Sequence, residues 1–114
     1  MYNVIFHLDE VEKWSTVLGN ITNLLKAAET EGWVVEVLIN GAAVGVFKQN
    51  HKVENYATAM EKLADRGVKF SICQNSLRSF DIDSHGLPDY VTTVPAGVVY
   101  LVQMQYDGYA YIRP

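Results

Sequence analysis

The chain has 114 residues and a hydrophobic fraction of 49%, which is enough to bury the core of one domain without disulfides or a metal. Its formal net charge of −4 argues against a nucleic-acid-binding protein, which needs a basic face. The apolar runs are shorter than a membrane span, the N-terminal segment lacks the basic start of a signal peptide, and there is one cysteine. We therefore expect a single domain over residues 1–114, reduced, in the cytoplasm and not at a membrane.

Strand and helix patterns alternate along the first two thirds of the chain. Short β-branched apolar runs indicate buried strands, and apolar residues at helical spacing indicate amphipathic helices. In chain order, the pattern predicts a strand at 2–8, a helix at 9–32, a strand at 33–40, a loop or short helical turn at 41–50, a helix at 53–67, a strand at 68–73 and a short helix at 74–82. Asp9 and Glu12 form a capping-box pattern, and Gly32 and Gly67 are predicted to end the two long helices.

The last quarter of the chain allows two interpretations. Asp107-Gly108 between Val- and Tyr-rich runs is a turn pattern typical of a β-hairpin. Alternatively, a strand at 90–94 precedes a helix that begins at Pro95, and Gly108 ends that helix before a strand at 109–112. The alternation upstream favours the helix, and with it an α/β fold with a parallel sheet.

A ligand site is expected at the carboxyl ends of the parallel strands, where loops and helix N-termini converge. The residues there are His7 and Asp9 after the first strand, Asn40, Gly41 and Ala42 after the second, Cys73, Gln74, Asn75 and Ser76 after the third, and Pro95, Ala96 and Gly97 after the fourth. Cys73 is the strongest candidate nucleophile, because unpaired N–H groups at a helix start lower the pKa of a thiol. Asn75 or Ser76 would cap that helix and place polar groups near the sulfur.

Each candidate also has a purely structural interpretation. A free cysteine often only fills space in a core, and His7 would equally suit a core position bonded to a backbone carbonyl. Asn40-Gly41 is first a turn pattern. The acidic and histidine residues of the run DIDSHG at 81–86 match no metal-ligand spacing, and no phosphate-binding glycine loop is present, so we expect neither a metal nor a cofactor.

Five segments, taken in their order and spacing, carry a resemblance to a known family. They are VIFHLDE, NITNLLKAAE, VVEVLINGAAV, LADRGVKFSICQNSL and VPAGVVYLVQMQYDGYAYIRP. With them, the chain resembles the DsrE/DsrF-like proteins of sulfur relay over nearly its whole length, in particular small stand-alone members similar to DsrE. The last segment and the C-x-N-S-L stretch that begins at Cys73 are the most specific.

The resemblance implies a three-layer α/β/α sandwich around a five-stranded parallel sheet, and it supports the helix after Pro95. It also implies a homo-oligomer, commonly a trimer or a hexamer. In relay members, a cysteine in the segment after the third strand carries persulfide sulfur, and Cys73 falls at that kind of position. By the same matching, His7, Asn40 and Asn75 lie at the edge where the site of the family is placed.

Two functions from different classes follow. The first is a sulfur-relay-type protein in which Cys73 carries persulfide sulfur between donor and acceptor proteins. The second is a non-catalytic oligomeric module that binds a small polar or anionic metabolite at the carboxyl edge of the sheet, where backbone donors converge. A third and weaker interpretation is an oligomeric scaffold, with Trp14, Tyr109 and Tyr111 supplying apolar surface to partners.

Overall fold

The computed structural model describes residues 2–27, 32–48 and 54–114 as an open parallel sheet flanked by helices. In those ranges the strands are β1 Tyr2–Leu8, β2 Trp33–Ile39, β3 Lys69–Cys73, β4 Val91–Val94 and β5 Ala110–Ile112. The helices are α1 Trp14–Ala27, α2 Glu54–Asp65, α3 Gln74–Ser79 and α4 Gly97–Tyr106, with 3-10 segments at Val11–Lys13, Gly41–Phe47 and Ser84–Gly86. The strand order is β4-β3-β2-β1-β5, and every neighbouring pair is parallel.

The C-terminal quarter forms a strand–helix–strand unit, so the hairpin interpretation is wrong. Gly108, with a φ of 91°, follows the end of α4 and turns the chain into β5. β5 then pairs in parallel with β1, with Ala110 opposite Val4. The predicted three-layer α/β/α sandwich with a five-stranded parallel sheet is confirmed.

Each helix and strand predicted upstream is present in the described residues, with bounds that are shorter than predicted at several ends. The second amphipathic helix, the third strand and the short third helix correspond to α2, β3 and α3. The predictions also extend over residues 28–31 and 49–53, which lie outside the described residues. None of the helices in the described ranges combines the length and the apolar character needed to cross a membrane.

The start of α1 differs from the predicted capping box. The 3-10 turn Val11–Lys13 comes first, and Glu10 stands in its cap position without a side-chain hydrogen bond. Asp9 instead accepts hydrogen bonds from the Arg113 guanidinium at both carboxylate oxygens, at 3.2 and 3.1 Å. The Asp9 carboxylate therefore pairs with a cation from the other end of the chain, and this ion pair joins the C-terminal segment to the end of β1.

One face of the sheet carries the main hydrophobic core. α1, α2 and the 3-10 segment Gly41–Phe47 pack on this face. Trp14 is fully buried there, and its indole Nε1–H donates to the Ala43 carbonyl at 3.0 Å. Trp14 therefore stabilises the core, and the suggestion that it offers surface to partners is wrong.

The opposite face is covered, among the described residues, by α4 alone. Its core is small, with Ile5, Leu38 and Leu101 as the buried members. Beside them, the Tyr100 hydroxyl donates to the carboxylate of Glu36, a residue that is only 6% exposed. Because a buried carboxylate needs hydrogen-bond donors, this contact both satisfies Glu36 and anchors α4 on the sheet.

The Glu36–Tyr100 contact predicts a pH-dependent contribution of α4 to stability. Burial, together with the hydrogen bond and the charge of Glu36, raises the pKa of Tyr100 from 10.0 to about 12. Because the folded-state pKa is the higher one, the stabilisation is complete below pH 10 and is lost as the pH rises through about 12. We expect Tyr100→Phe to lower the free energy of unfolding by about 1–3 kcal/mol at neutral pH. In urea titrations, this deficit should shrink above pH 10.

Tyr2→Phe is the matched control, because Tyr2 is 54% exposed and its ring stacks on Trp33, a contact that phenylalanine retains. Its free energy of unfolding should equal that of the wild type at every pH. A Tyr100→Phe deficit that stays constant between neutral pH and pH 12 would show that Glu36 does not hold the phenol in its neutral form.

Candidate functional site

Three turns of the chain meet around Cys73 at the carboxyl edge of the sheet. Cys73 ends β3 and occupies the N-cap position of α3, with an extended backbone at φ −74° and ψ 119°. Gly41 begins the 3-10 segment after β2, and Gly97 begins α4 after β4. Because β3 lies between β2 and β4 in a parallel sheet, the three turns open on the same edge.

The Cys73 thiol is recessed and hydrogen-bonded. The residue is 5% exposed, and the Gly97 backbone N–H donates to its Sγ at 3.3 Å. A Cβ on residue 97 would lie 3.0 Å from Leu38 Cδ1 and 3.3 Å from Cys73 Cβ, which is closer than most side-chain contacts. The approach of the first turn of α4 to the sulfur therefore depends on glycine.

Opposing effects determine the ionisation of this thiol. Burial raises the pKa of Cys73, whereas hydrogen bonding from the Ser76 hydroxyl and from the backbone N–H groups of Gly97, Ser76 and Asn75 lowers it. The hydrogen bonds outweigh burial, so the pKa of Cys73 lies below the ordinary value for a thiol. Neutral donors thus favour the thiolate, and two of them are N–H groups at the start of α3.

Ser76 connects the sulfur with the turn that follows β2. Its Oγ accepts a hydrogen bond from the Gly41 N–H at 2.9 Å. Since the oxygen takes this donor, the hydroxyl proton is free to point to Cys73. Gly41 has a φ of 57°, and a Cβ there would lie 3.3 Å from the Asp9 carbonyl oxygen, so this turn also requires glycine.

A second cluster lies at the ends of β1, β2 and β5. His7 Nε2 lies 2.8 Å from Asn40 Oδ1, and His7 Nδ1 lies 2.6 Å from the Tyr111 hydroxyl oxygen. Asn40 Nδ2 in turn lies 3.4 Å from the position that a Cβ on Gly97 would take. Asn40 therefore connects His7 with the surroundings of the thiol.

The structure brings some of the site residues predicted from the sequence into contact with one another and leaves others apart. His7 has side-chain partners, so the interpretation as a core histidine bonded to a backbone carbonyl is wrong. Gly41 and Ser76 contact each other beside the sulfur. Asn75 contributes its backbone N–H to the sulfur, whereas its exposed side chain accepts a hydrogen bond from the Arg78 guanidinium.

Sequence reasoning missed the roles of Gly97 and Tyr111. Gly97 belongs to the stretch after the fourth strand, yet its contact with the sulfur depends on how α4 packs, which no local pattern defines. The pattern assigns Tyr111 to a partner surface. In the structure its side chain is partly exposed, but its hydroxyl is bonded to His7.

The DIDSHG run forms a short turn. Asp83 Oδ1 accepts a hydrogen bond from the backbone N–H of His85 at 2.9 Å and lies 3.0 Å from its Nδ1, and both side chains are exposed. Within residues 2–27, 32–48 and 54–114, no group of three or more His, Cys, Asp or Glu side chains lies close enough together to hold a metal ion.

Comparison with known proteins identifies the family. The model of the DsrE/DsrF-like family matches residues 20–114, a range that includes β2 to β5 and all the turns around Cys73. The chain belongs to the DsrE/DsrF-like family. A search of curated proteins finds no match to this DsrE/DsrF-like chain.

Two solved structures are similar to this DsrE/DsrF-like chain over its full length. Protein MTH1491 of Methanobacterium thermoautotrophicum, described as a protein of unknown function, is 32% identical, with a TM-score of 0.86 and 100% of each chain covered. The ychN protein of E. coli is 16% identical, with a TM-score of 0.79 and the same coverage. MTH1491 is close enough in sequence to support the family assignment, whereas ychN supports the fold alone.

The approach of Gly97 to the sulfur predicts that a methyl group at this position raises the pKa of Cys73. In Gly97→Ala, the first turn of α4 must move away from Leu38 and Cys73, which lengthens the hydrogen bond to Sγ. A hydrogen bond to a charged group contributes about 1.5 kcal/mol, which corresponds to about one pH unit. We expect the pH midpoint of Cys73 alkylation by iodoacetamide to rise by about one pH unit.

Gly86→Ala is the control, because a Cβ on Gly86 meets nothing within 4 Å. This variant should be alkylated with the wild-type midpoint. A Gly97→Ala protein that keeps both its circular dichroism spectrum and the wild-type midpoint would refute the role of the Gly97 N–H.

Proposed function

We propose that this DsrE/DsrF-like protein acts in sulfur relay and carries persulfide sulfur on Cys73. The observation that supports this most strongly is the hydrogen-bonded thiol, whose lowered pKa favours a thiolate at the carboxyl edge of the sheet. Membership of the family supports the same chemistry. Because the function needs a reduced thiol, we propose the cytoplasm as its location.

The proposed reaction is an exchange between a thiolate and a persulfide. The Cys73 thiolate attacks the outer sulfur of a donor R–S–SH, a new S–S bond forms, the S–S bond of the donor breaks, and R–S⁻ leaves. Cys73 then carries the transferred sulfur as –S–SH, and no external oxidant or reductant is consumed. An acceptor thiolate attacks that outer sulfur in turn, and the Cys73 thiolate leaves.

The hydrogen bonds at the sulfur serve both halves of this exchange. They maintain the thiolate for the first attack, and a lower pKa makes Cys73 a better leaving group in the second. One cysteine is sufficient, because each S–S bond is exchanged with a different molecule. Since Cys73 is recessed, the donors and acceptors that fit are those whose sulfur projects into the edge of the sheet.

Sulfur loading tests this function directly. After incubation with glutathione persulfide and removal of the free donor, intact-mass spectrometry should show one added sulfur atom on the wild-type protein. Cys73→Ser retains a small polar side chain but has no thiolate, so it should gain no sulfur. A subsequent incubation with a small thiol should return the wild type to its starting mass.

Two results would contradict sulfur carriage by Cys73. One is a wild-type protein that gains no sulfur at a pH where iodoacetamide alkylates Cys73. The other is an equal gain in Cys73→Ser, which would place the added sulfur elsewhere.

The recessed position of the sulfur favours one second candidate, a module that binds a small anion without covalent chemistry. Asn40 Nδ2 lies beside Gly97 at this edge, and a neutral amide donor suits an anion. For such a module, thiosulfate should raise the melting temperature of the wild type and of Cys73→Ala equally, with no sulfur transferred.

We also propose that the protein is a homo-oligomer, a trimer or a hexamer, in which α4 contributes to the contact between copies. The outer side of α4 exposes four apolar side chains, namely Val98, Val99, Val102 and Tyr106. Three of them are spaced four residues apart and form a stripe along the helix. A contiguous apolar stripe on a surface helix is typical of a contact surface, and a second copy of the chain offers the same apolar chemistry.

Acidic side chains introduced into this apolar stripe should prevent the copies from associating, because burying them in a contact would be unfavourable. In light scattering at micromolar concentration, we expect the wild type to have the mass of a trimer or a hexamer and the double variant Val98→Asp, Val102→Asp to have that of a monomer. Thr16→Asp, on an exposed position of α1, is the control and should keep the wild-type mass. A monomeric wild type would refute the proposed assembly.

A further inference from the structure

The contacts of His7 determine which of its ring nitrogens carries the proton. Asn40 Oδ1 can only accept a hydrogen bond, so the His7 Nε2 that lies 2.8 Å from it must carry a proton. In the neutral imidazole, Nδ1 is then an acceptor, and the Tyr111 hydroxyl at 2.6 Å donates to it. In the imidazolium form Nε2 still carries its proton, so the contact with Asn40 persists in either form.

This arrangement fixes the direction of the Asn40 amide. Because Oδ1 is bonded to His7, the amide Nδ2 faces the opposite way, towards Gly97. The position of a Cβ on residue 97 would be 3.4 Å from Asn40 Nδ2 and 3.3 Å from Cys73 Cβ, so the amide nitrogen and the cysteine lie next to the same residue, Gly97. Within the described part of the chain, no acceptor takes the Asn40 amide N–H groups.

We propose that Asn40 donates hydrogen bonds to the outer sulfur of a Cys73 persulfide, and that His7 and Tyr111 are positioning residues that direct the Asn40 amide to it. The proposal rests on the sulfur-carrier function. When the loaded –S–SH gives up its proton to solvent, the negative charge lies on the new terminal sulfur, one bond beyond Sγ. The donors at Sγ, among them the Gly97 N–H, then contact an inner sulfur that is no longer charged.

The outer sulfur therefore needs a donor of its own. Neutral donors suit a sulfur that must later leave, because a fixed cation would hold it more tightly. The Asn40 amide is a neutral donor, and the guanidinium of Arg113 is engaged with Asp9. Tyr111 of β5 bonds to His7, and His7 bonds to Asn40. Through these two hydrogen bonds, β5 helps to orient the Asn40 amide beside the thiol.

The test compares variants that keep or remove the donor to Asn40. His7→Gln places an amide N–H near the position of Nε2 and should retain the orientation, whereas His7→Met removes the donor. Asn40→Leu removes the amide itself without adding charge. For each protein, the equilibrium constant of sulfur exchange with glutathione persulfide is measured by intact mass, together with the pH midpoint of alkylation of the unloaded thiol.

We expect Asn40→Leu and His7→Met to lower the exchange constant about tenfold, the effect of one hydrogen bond to a charged group. His7→Gln should match the wild type. The alkylation midpoints of all four proteins should agree, because the donors at Sγ are unchanged. A general structural disturbance would instead shift the midpoints along with the exchange constants and would overturn the proposal.

The result also separates this proposal from the function on which it rests. A wild type that accepts no sulfur overturns both. A wild type that is loaded, with the same exchange constant in Asn40→Leu and His7→Met, overturns the role of Asn40 and leaves the carrier function intact. Nitrogen-15 NMR of wild-type His7 gives an answer that needs no variant, since a neutral ring protonated at Nδ1 would also overturn it.

Discussion

The burial of the Cys73 sulfur, and its hydrogen bonding to neutral donors, is the constraint on which the site depends. A thiolate removed from water is stable only if hydrogen bonds replace the water that it loses. At Cys73 these donors come from the first turn of α3, from Ser76 and from Gly97 at the start of α4. Their convergence requires β2, β3 and β4 to be adjacent and parallel, because only then do the three turns open on one edge.

α4 links the proposed chemistry with the proposed assembly. Its first residue donates to the sulfur, its inner side is anchored to Glu36 through Tyr100, and its outer side exposes an apolar stripe. The core beneath it is small, so the position of the helix depends on a few contacts. Association of copies through this stripe would therefore also hold the Gly97 N–H in place at the thiol.

The elements of the fold could be predicted from the sequence because hydrophobic periodicity records which side of each element is buried. The same patterns located Cys73 at the end of a strand. They did not decide between a β-hairpin and a strand–helix–strand unit in the last quarter, since Val- and Tyr-rich runs suit both. The parallel pairing of β5 with β1 decides between these two structures. Asp9 shows the same limit: its capping pattern is local, but its partner Arg113 lies at the other end of the chain. The contacts of Gly97 and Tyr111 likewise join distant segments, which spacing along the chain does not encode.

Direct titration of the Cys73 thiol in the folded protein tests the central claim most simply. With carbon-13-labelled cysteine, the Cβ chemical shift reports the fraction of thiolate at each pH. The hydrogen bonds predict a midpoint below the ordinary thiol pKa, measured on the same protein unfolded in urea. A midpoint at or above that value in the folded protein would show that burial dominates, and Cys73 would then be an inert core residue.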